Sequence, residues 1–284
     1  MTKVNYHVHT TGSDGKFSPR QVVEQAIKAG IKYICFTDHH SFPKDFSKFG
    51  LTQDYSPRTC NSLKYYSEIM KLKKEFKNKI DISFGIEFEY LDGFVAFNKK
   101  EMLKREYDLI ICSVHFIPKK DIFVEVPWAP ENWKGFIQLF GSIKNGVIAY
   151  YDQIKKIAEL NLCDCVGHFD LIKLYYPDNW KEIEKQRWYK KIVLDVLDEI
   201  KKKGLCIEVN TSGFRRLVKE QYPSEWILKE ARKRDIKIII GNDFHGKNQN
   251  PIDEYLDEGI KIAKKVGYKS VLIFHKRKPA ELLI

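Results

Sequence analysis

Seven times along this chain a short apolar run stops at a histidine, a carboxylate or an asparagine, once with a glycine between. The runs occupy residues 3–8, 33–37, 80–86, 109–114, 165–167, 205–209 and 236–240. Continuous apolar character over so few residues marks strands that are covered on both faces. Between them lie stretches of helical period, including 188–202 and 223–234, with apolar residues on one face. Strands that alternate with helices pair in parallel through right-handed crossovers. Seven or eight such units in 284 residues point to a closed α/β barrel, with 271–274 as an eighth strand or an edge. Barrels of this kind build their sites at the carboxyl ends of the strands, where this chain repeatedly sets its polar groups.

The punctuation agrees. Ser18 is an N-cap, Pro19 takes the first helical position and Gln21 completes a capping box. Val22, Val23, Ala26 and Ile27 then form a buried stripe that Gly30 ends. Two connections exceed a plain crossover. Residues 41–59 carry Phe42, Phe46, Phe49 and Tyr55, and residues 117–151 carry Trp128, Trp133 and Phe136. Long connections over the functional face of a barrel read as substrate lids. No linker or repeat divides the chain, so residues 1–284 are expected to form one domain.

Charge and composition narrow the partners. Lys and Arg outnumber Asp and Glu by 49 to 38, an excess that favours anionic ligands, although runs such as 71–74 and 201–203 read as solvated faces. No stretch reaches the roughly 20 apolar residues of a membrane span, and residues 1–4 lack the apolar core of a signal peptide. Cys35, Cys112 and Cys206 sit inside apolar runs, with Cys163 and Cys165 beside another, which reads as free thiols in a reducing cytoplasm. A cytoplasmic chain without a membrane partner is expected.

The chemistry lies at the run ends. His7 and His9 are two apart on a strand and present their imidazoles to one face. An isolated pair of this kind is more often two surface histidines, but His39, His115, His168 and His245 recur at later run ends. Asp14, Glu87 and Asp243 join them, nine candidate ligands in all and more than one ion can use. Imidazole with carboxylate suits Zn, Mn or Fe, and the thiolates of a structural zinc site are lacking. Asp38 reads as a residue that orients a neighbouring imidazole or fixes its strand end, and His40 and His275 as bystanders.

Taken in order, His7-x-His9, Ser13-Asp14-Gly15, Thr37-Asp38-His39, Glu87, Ser113-Val114-His115, Gly167-His168-x-Asp170, Glu208-x-Asn210-Thr211-Ser212-Gly213 and Asp243-x-His245 resemble the polymerase-and-histidinol-phosphatase (PHP) family of phosphoesterases. Within it they are most similar to the monofunctional histidinol-phosphate phosphatases. The resemblance implies a distorted seven-stranded (β/α) TIM-like barrel with two or three divalent transition metals. It implies His7, His9, Glu87 and Asp243 on one ion, and Glu87, His115 and His168 on a second. Asp14, His39 and His245 would hold a third, Asp14 standing where some relatives carry histidine. The implied activity is hydrolysis of a small phosphate ester, L-histidinol phosphate, by metal-activated hydroxide. Another ester, such as a nucleotide or a nucleic-acid end, is the alternative, although no nucleic-acid-binding module is recognisable. Glu87, Asp243 and Arg215 are the expected catalytic residues, with Arg215, Arg216 and Lys173 on the phosphate. Trp128, Trp133 and Phe42 are candidates to stack on an imidazole, and Glu125 and Glu131 to pair with an amine.

Overall fold

In the computed structural model, which describes residues 2–43, 59–60 and 62–284, the seven apolar runs become one parallel sheet. In chain order the elements begin β1 (Lys3–Val8), α1 (Pro19–Lys28), β2 (Ile31–Phe36), α2 (Leu63–Glu75), β3 (Asp81–Glu89), α3 (Val95–Met102) and β4 (Leu109–Ser113). They continue with β5 (Phe116–Lys119), β6 (Ile122–Glu125), α4 (Asn132–Phe140), α5 (Ile143–Leu160), β7 (Cys165–Val166), α6 (Trp180–Glu184) and α7 (Arg187–Lys203). The last are β8 (Cys206–Asn210), α8 (Glu225–Lys233), β9 (Ile238–Gly241), α9 (Leu256–Lys265), β10 (Ser270–His275) and β11 (Lys278–Leu283).

The sheet runs β1-β2-β3-β4-β7-β8-β9 with parallel pairing throughout. It closes beyond the end of β9, where Val8 bridges Phe244 and the His9 amide donates to the Phe244 carbonyl at 2.8 Å. The result is a nearly closed, distorted TIM-like barrel. Ser18 caps α1 with the full capping box, and Val22, Val23 and Ala26 face the strands. Apolar side chains of β1, β2, β3, β4, β8 and β9 are buried almost without exception, as a sheet covered on both faces requires.

Residues 271–274 are neither an eighth barrel strand nor its edge. They lie in β10, which pairs antiparallel with β11 as a separate hairpin. The hairpin covers the amino end of the barrel. Its turn gives the Lys276 amide to Asp108 at 2.8 Å, while the Phe274 carbonyl accepts from Ser83 at 3.2 Å.

The connection after β4 is not an open lid. It folds as the β5–β6 hairpin and α4, and Tyr151 falls within the crossover helix α5. Trp133 and Phe136 turn inward and pack with Phe140, Tyr176 and Trp180. Of the other expected lid, residues 44–58 (with Phe46, Phe49 and Tyr55) lie outside the described residues. No helix among the described residues is long and apolar enough to cross a membrane.

Candidate metal centre

Parallel pairing brings every strand's carboxyl end to one rim, and the nine expected ligands converge there. They fall into three groups of ligand atoms: His7, His9 and Asp243; Glu87, His115 and His168; and His9, Asp14, His39 and His245. Glu87 joins the groups. Its Oε2 lies 3.2 Å from His7 Nε2, 3.5 Å from His9 Nε2 and 3.0 Å from His39 Nδ1. Its Oε1 lies 3.1 Å from His168 Nε2 and 4.0 Å from His115 Nε2. Asp243 Oδ1 stands 3.2 Å from His9 Nε2 and 3.6 Å from His7 Nε2. Asp14 Oδ1 faces His245 Nε2 at 3.1 Å.

Two glycines make this approach possible. A Cβ on Gly241 would lie 2.5 Å from that of His7, and one on Gly167 would lie 2.4 Å from Ser113 Oγ. Ser113 needs the room, because its hydroxyl donates to Glu87 Oε1 at 2.5 Å. Behind the ligands stand carboxylates that aim them. Glu208 holds His7 Nδ1 at 2.8 Å and also accepts from the His168 amide at 2.9 Å. Glu89 holds His115 Nδ1 at 2.5 Å and accepts from its amide at 2.7 Å. Such partners fix a ligating imidazole's tautomer and direction. The sequence reading passed over both roles. The signal was there: each acid lies two residues from another motif residue on its strand, at Glu87-x-Glu89 and Glu208-x-Asn210.

Asp38 fixes the loop after β1 more than it aims a ring. It accepts from the Thr10 amide at 2.7 Å, from Ser13 Oγ at 2.6 Å and from the Tyr65 hydroxyl. His40 is buried and stacks on Phe88, and exposed His275 faces Asp81 away from the centre.

The electrostatics are those of a site built around positive charge. Burial drives His9 down to about 3, helped by the neighbouring His245 and His39, so its ring is neutral and ready to donate a lone pair. Burial opposes a charged His39 too, but Glu87, Asp14 and Asp243 outweigh it and raise the ring to about 9. Burial likewise opposes a charged His7, and Glu208 and Glu87 hold it well above the usual value. Against burial, the surrounding imidazoles keep Glu87 and Asp243 ionised, far below the carboxylate range. His7 Nε2, His9 Nε2, Glu87 Oε2 and Asp14 Oδ1 are buried without a hydrogen-bond partner. Unpartnered buried polar atoms that converge are costly unless a cation sits among them. This nitrogen and oxygen donor set fits divalent transition metals.

A cavity of about 400 Å³ opens over the centre. All seven barrel strands or the loops that follow them line it, through Asp14, His39, Glu89, His115, Tyr175, Arg215 and Asp243. Phe42, Phe116, Glu125 and Trp128 also line it. Lys247, which the sequence reading passed over, also lines it and pairs with Asp14 Oδ2 at 2.8 Å. Three expected contacts are absent from this lining. Lys173 is buried, its ammonium taken by Asp170 and Glu220 at 2.8 Å each, because its helical turn points it under the rim. Trp133 belongs to the core, and Glu131 is exposed at the start of α4.

The model of the PHP domain matches residues 5–212. The histidinol-phosphatase of Bacillus subtilis is 28% identical over 86% of this chain and 94% of its own length. That of Lactococcus lactis is 26% identical over 96% and 95%. Among solved structures, histidinol phosphate phosphatase from Lactococcus lactis, complexed with zinc, L-histidinol and phosphate, superposes with a TM-score of 0.77. It is 24% identical and covers 98% of this chain and 99% of its own.

Proposed function

Because the chain belongs to the PHP domain family, we propose that it is a metal-dependent phosphomonoesterase that converts L-histidinol phosphate to L-histidinol and phosphate, a step of histidine biosynthesis. The observation that carries the reading is Glu87, a buried carboxylate with one oxygen turned to each of two imidazole groups. Divalent cations held there supply Lewis acidity to phosphate oxygens and a water acidified toward neutral pH, so hydrolysis needs no phosphoenzyme. His7, His9 and Asp243 would hold one ion, Glu87, His115 and His168 a second, and Asp14, His39 and His245 a third, with His9 within reach of both outer groups. Zinc, the ion in the Lactococcus structure, suits these ligands, as do manganese and iron.

The chain's own residues do the rest. Glu208 and Glu89 keep the Nε2 atoms of His7 and His115 turned to the centre. A guanidinium on the loop after β8 would take phosphoryl oxygens from the cavity wall, and Phe42, Phe116 and Trp128, which line the same cavity, would reduce water access. This polarity favours the substrate. Histidinol phosphate is an anion at one end and an amine with an aromatic ring at the other. The cavity sets Arg215, Arg216 and Lys247 on the loops after β8 and β9, and Glu125, Phe42 and Trp128 on those after β2 and β4. A cytoplasmic setting suits the enzyme, since its six cysteines are buried and unbridged.

Phosphate release from histidinol phosphate, p-nitrophenyl phosphate and a nucleoside monophosphate, using purified and metal-analysed protein, tests the reading. The kcat/KM for histidinol phosphate should lead by at least ~100-fold, about 2.7 kcal/mol. Comparable values for all three would leave a general phosphoesterase.

A further inference from the structure

We infer that Arg216, and not its neighbour Arg215, is the guanidinium that takes the phosphoryl group, while Arg215 is a positioning residue for the metal ligand Asp243. The inference rests on the phosphatase reading and departs from the family pattern, which favours Arg215.

Both arginines line the cavity, yet their bonding differs. Arg215 is spent. Its Nη1 donates to Glu254 at 3.2 Å, and its Nη2 donates to the main-chain carbonyls of Asn242 at 2.7 Å and Asp243 at 3.3 Å. These carbonyls flank a residue in the left-handed region, Asp243, with φ 52°. That conformation costs a non-glycine residue free energy and persists where surrounding bonds hold it. The conformation also aims the carboxylate at His7 and His9. Arg215 therefore clamps the backbone from which a ligand projects, and Glu254 already balances its charge.

Arg216 is the opposite case. It makes no ion pair among the described residues, and its Nε is buried without a hydrogen-bond partner. Its one side-chain hydrogen bond among the described residues is from Nη1 to the Tyr175 hydroxyl at 3.2 Å, with the guanidinium 6.0 Å from the centre of the same ring. Tyr175 also lines the cavity. A neutral phenol can hold the fork in place without cancelling its charge. A half-buried guanidinium with undischarged donors beside a cavity is a receptor for a dianion, and its planar fork matches two oxygens of a phosphoryl group.

The test uses zinc-loaded full-length protein, with inorganic phosphate as the calorimetric probe and kinetics on a phosphomonoester beside elemental analysis. Arg216→Gln should weaken phosphate binding on the order of 30-fold or more and raise KM in proportion, with zinc content unchanged. Arg216→Lys should recover part of the affinity, and Tyr175→Phe should lose several-fold. Arg215→Gln should lose zinc, with kcat falling in step and phosphate affinity of the zinc-replete fraction intact. Arg215→Lys, which can still reach Glu254 and a carbonyl, should regain zinc. Circular dichroism identifies a misfolded variant, and for Arg216 the Lys form and Tyr175→Phe then carry the measurement. Wild-type phosphate affinity in both Arg216 variants overturns the inference. So does an Arg215→Gln enzyme with full zinc and lost phosphate affinity. If the zinc-loaded wild type binds phosphate but cleaves no ester, the phosphatase reading fails while the binding comparison still decides between the arginines.

Discussion

Glu87 touches more of the centre than any other carboxylate there, with its two oxygens within 4.0 Å of five imidazoles. Asp14 belongs to one group and shares its charge with Lys247. Glu87→Gln should therefore cost more activity and more metal than Asp14→Asn, as kinetics and elemental analysis of both variants will show. Glu208→Gln should lower metal affinity or kcat/KM by about 10–100-fold, the scale for a lost partner behind a ligating imidazole. Proton and cation compete for the same rings, which sets a pH dependence. With His39 raised to about 9, the metal-free protein holds that ring's stabilising charge below roughly pH 6.5 and loses it as pH climbs through 9. The melting temperature of chelated protein should fall across that window, and zinc affinity should rise over it because binding expels protons. A melting curve flat between pH 6.5 and 9 would contradict the charge pairing described for His39. Lys173 carries a different consequence. Its side chain and that of Asp170 are wholly buried, so Lys173→Met should cost about 3–5 kcal/mol in denaturant unfolding by stranding a buried carboxylate. The KM of a folded Lys173→Met enzyme should stay near wild type.

At the scale of elements, the segment after β4 divides into a part that reaches the substrate cavity and a part that belongs to the core. Trp128 and Glu125, around the end of the β5–β6 hairpin, line the cavity, whereas Trp133 in α4 is buried against Phe136 and Trp180. Shortening the whole segment would remove a core helix together with the specificity wall. Point changes separate them. Trp128→Ala and Glu125→Gln should each narrow the preference for histidinol phosphate over p-nitrophenyl phosphate by about tenfold, since a lost charge or stacking partner bears on the leaving group alone. Trp133→Ala should instead destabilise by about 3–5 kcal/mol and leave that preference in place. Sequence pattern located the strand ends that carry this wall, because an apolar run and its polar stop are adjacent in the chain. It could not separate Trp128 from Trp133, five residues on, because one indole reaches the core only after α4 has docked on α5.

For the whole molecule, the barrel's two ends divide the labour. The carboxyl rim collects buried donor atoms without hydrogen-bond partners that a cation would satisfy, and the amino end is sealed by the β10–β11 hairpin through Asp108. Metal should therefore stabilise the fold as a whole: at 100 times its dissociation constant, zinc should add about 2.7 kcal/mol to unfolding. Chelation should reverse both that gain and the activity, as scanning calorimetry with an assay after zinc readdition will report. The sequence by itself determined the parallel barrel, the rim that carries the site and the nine side chains that meet there. Those follow from local signals, a continuous apolar run, a helical stripe and a polar stop, once parallel pairing lines up the strand ends. Only the tertiary structure decided which charges remain available to a substrate. Arg215 finds Glu254 39 residues further along the chain, and Lys173 finds Glu220 after 47. Among the described residues the Arg216 side chain, next to Arg215 in the chain, hydrogen-bonds a phenol and no carboxylate. Neighbours of the same residue type thus acquire different roles because a charge is neutralised through space, by partners that the chain brings together only after it folds.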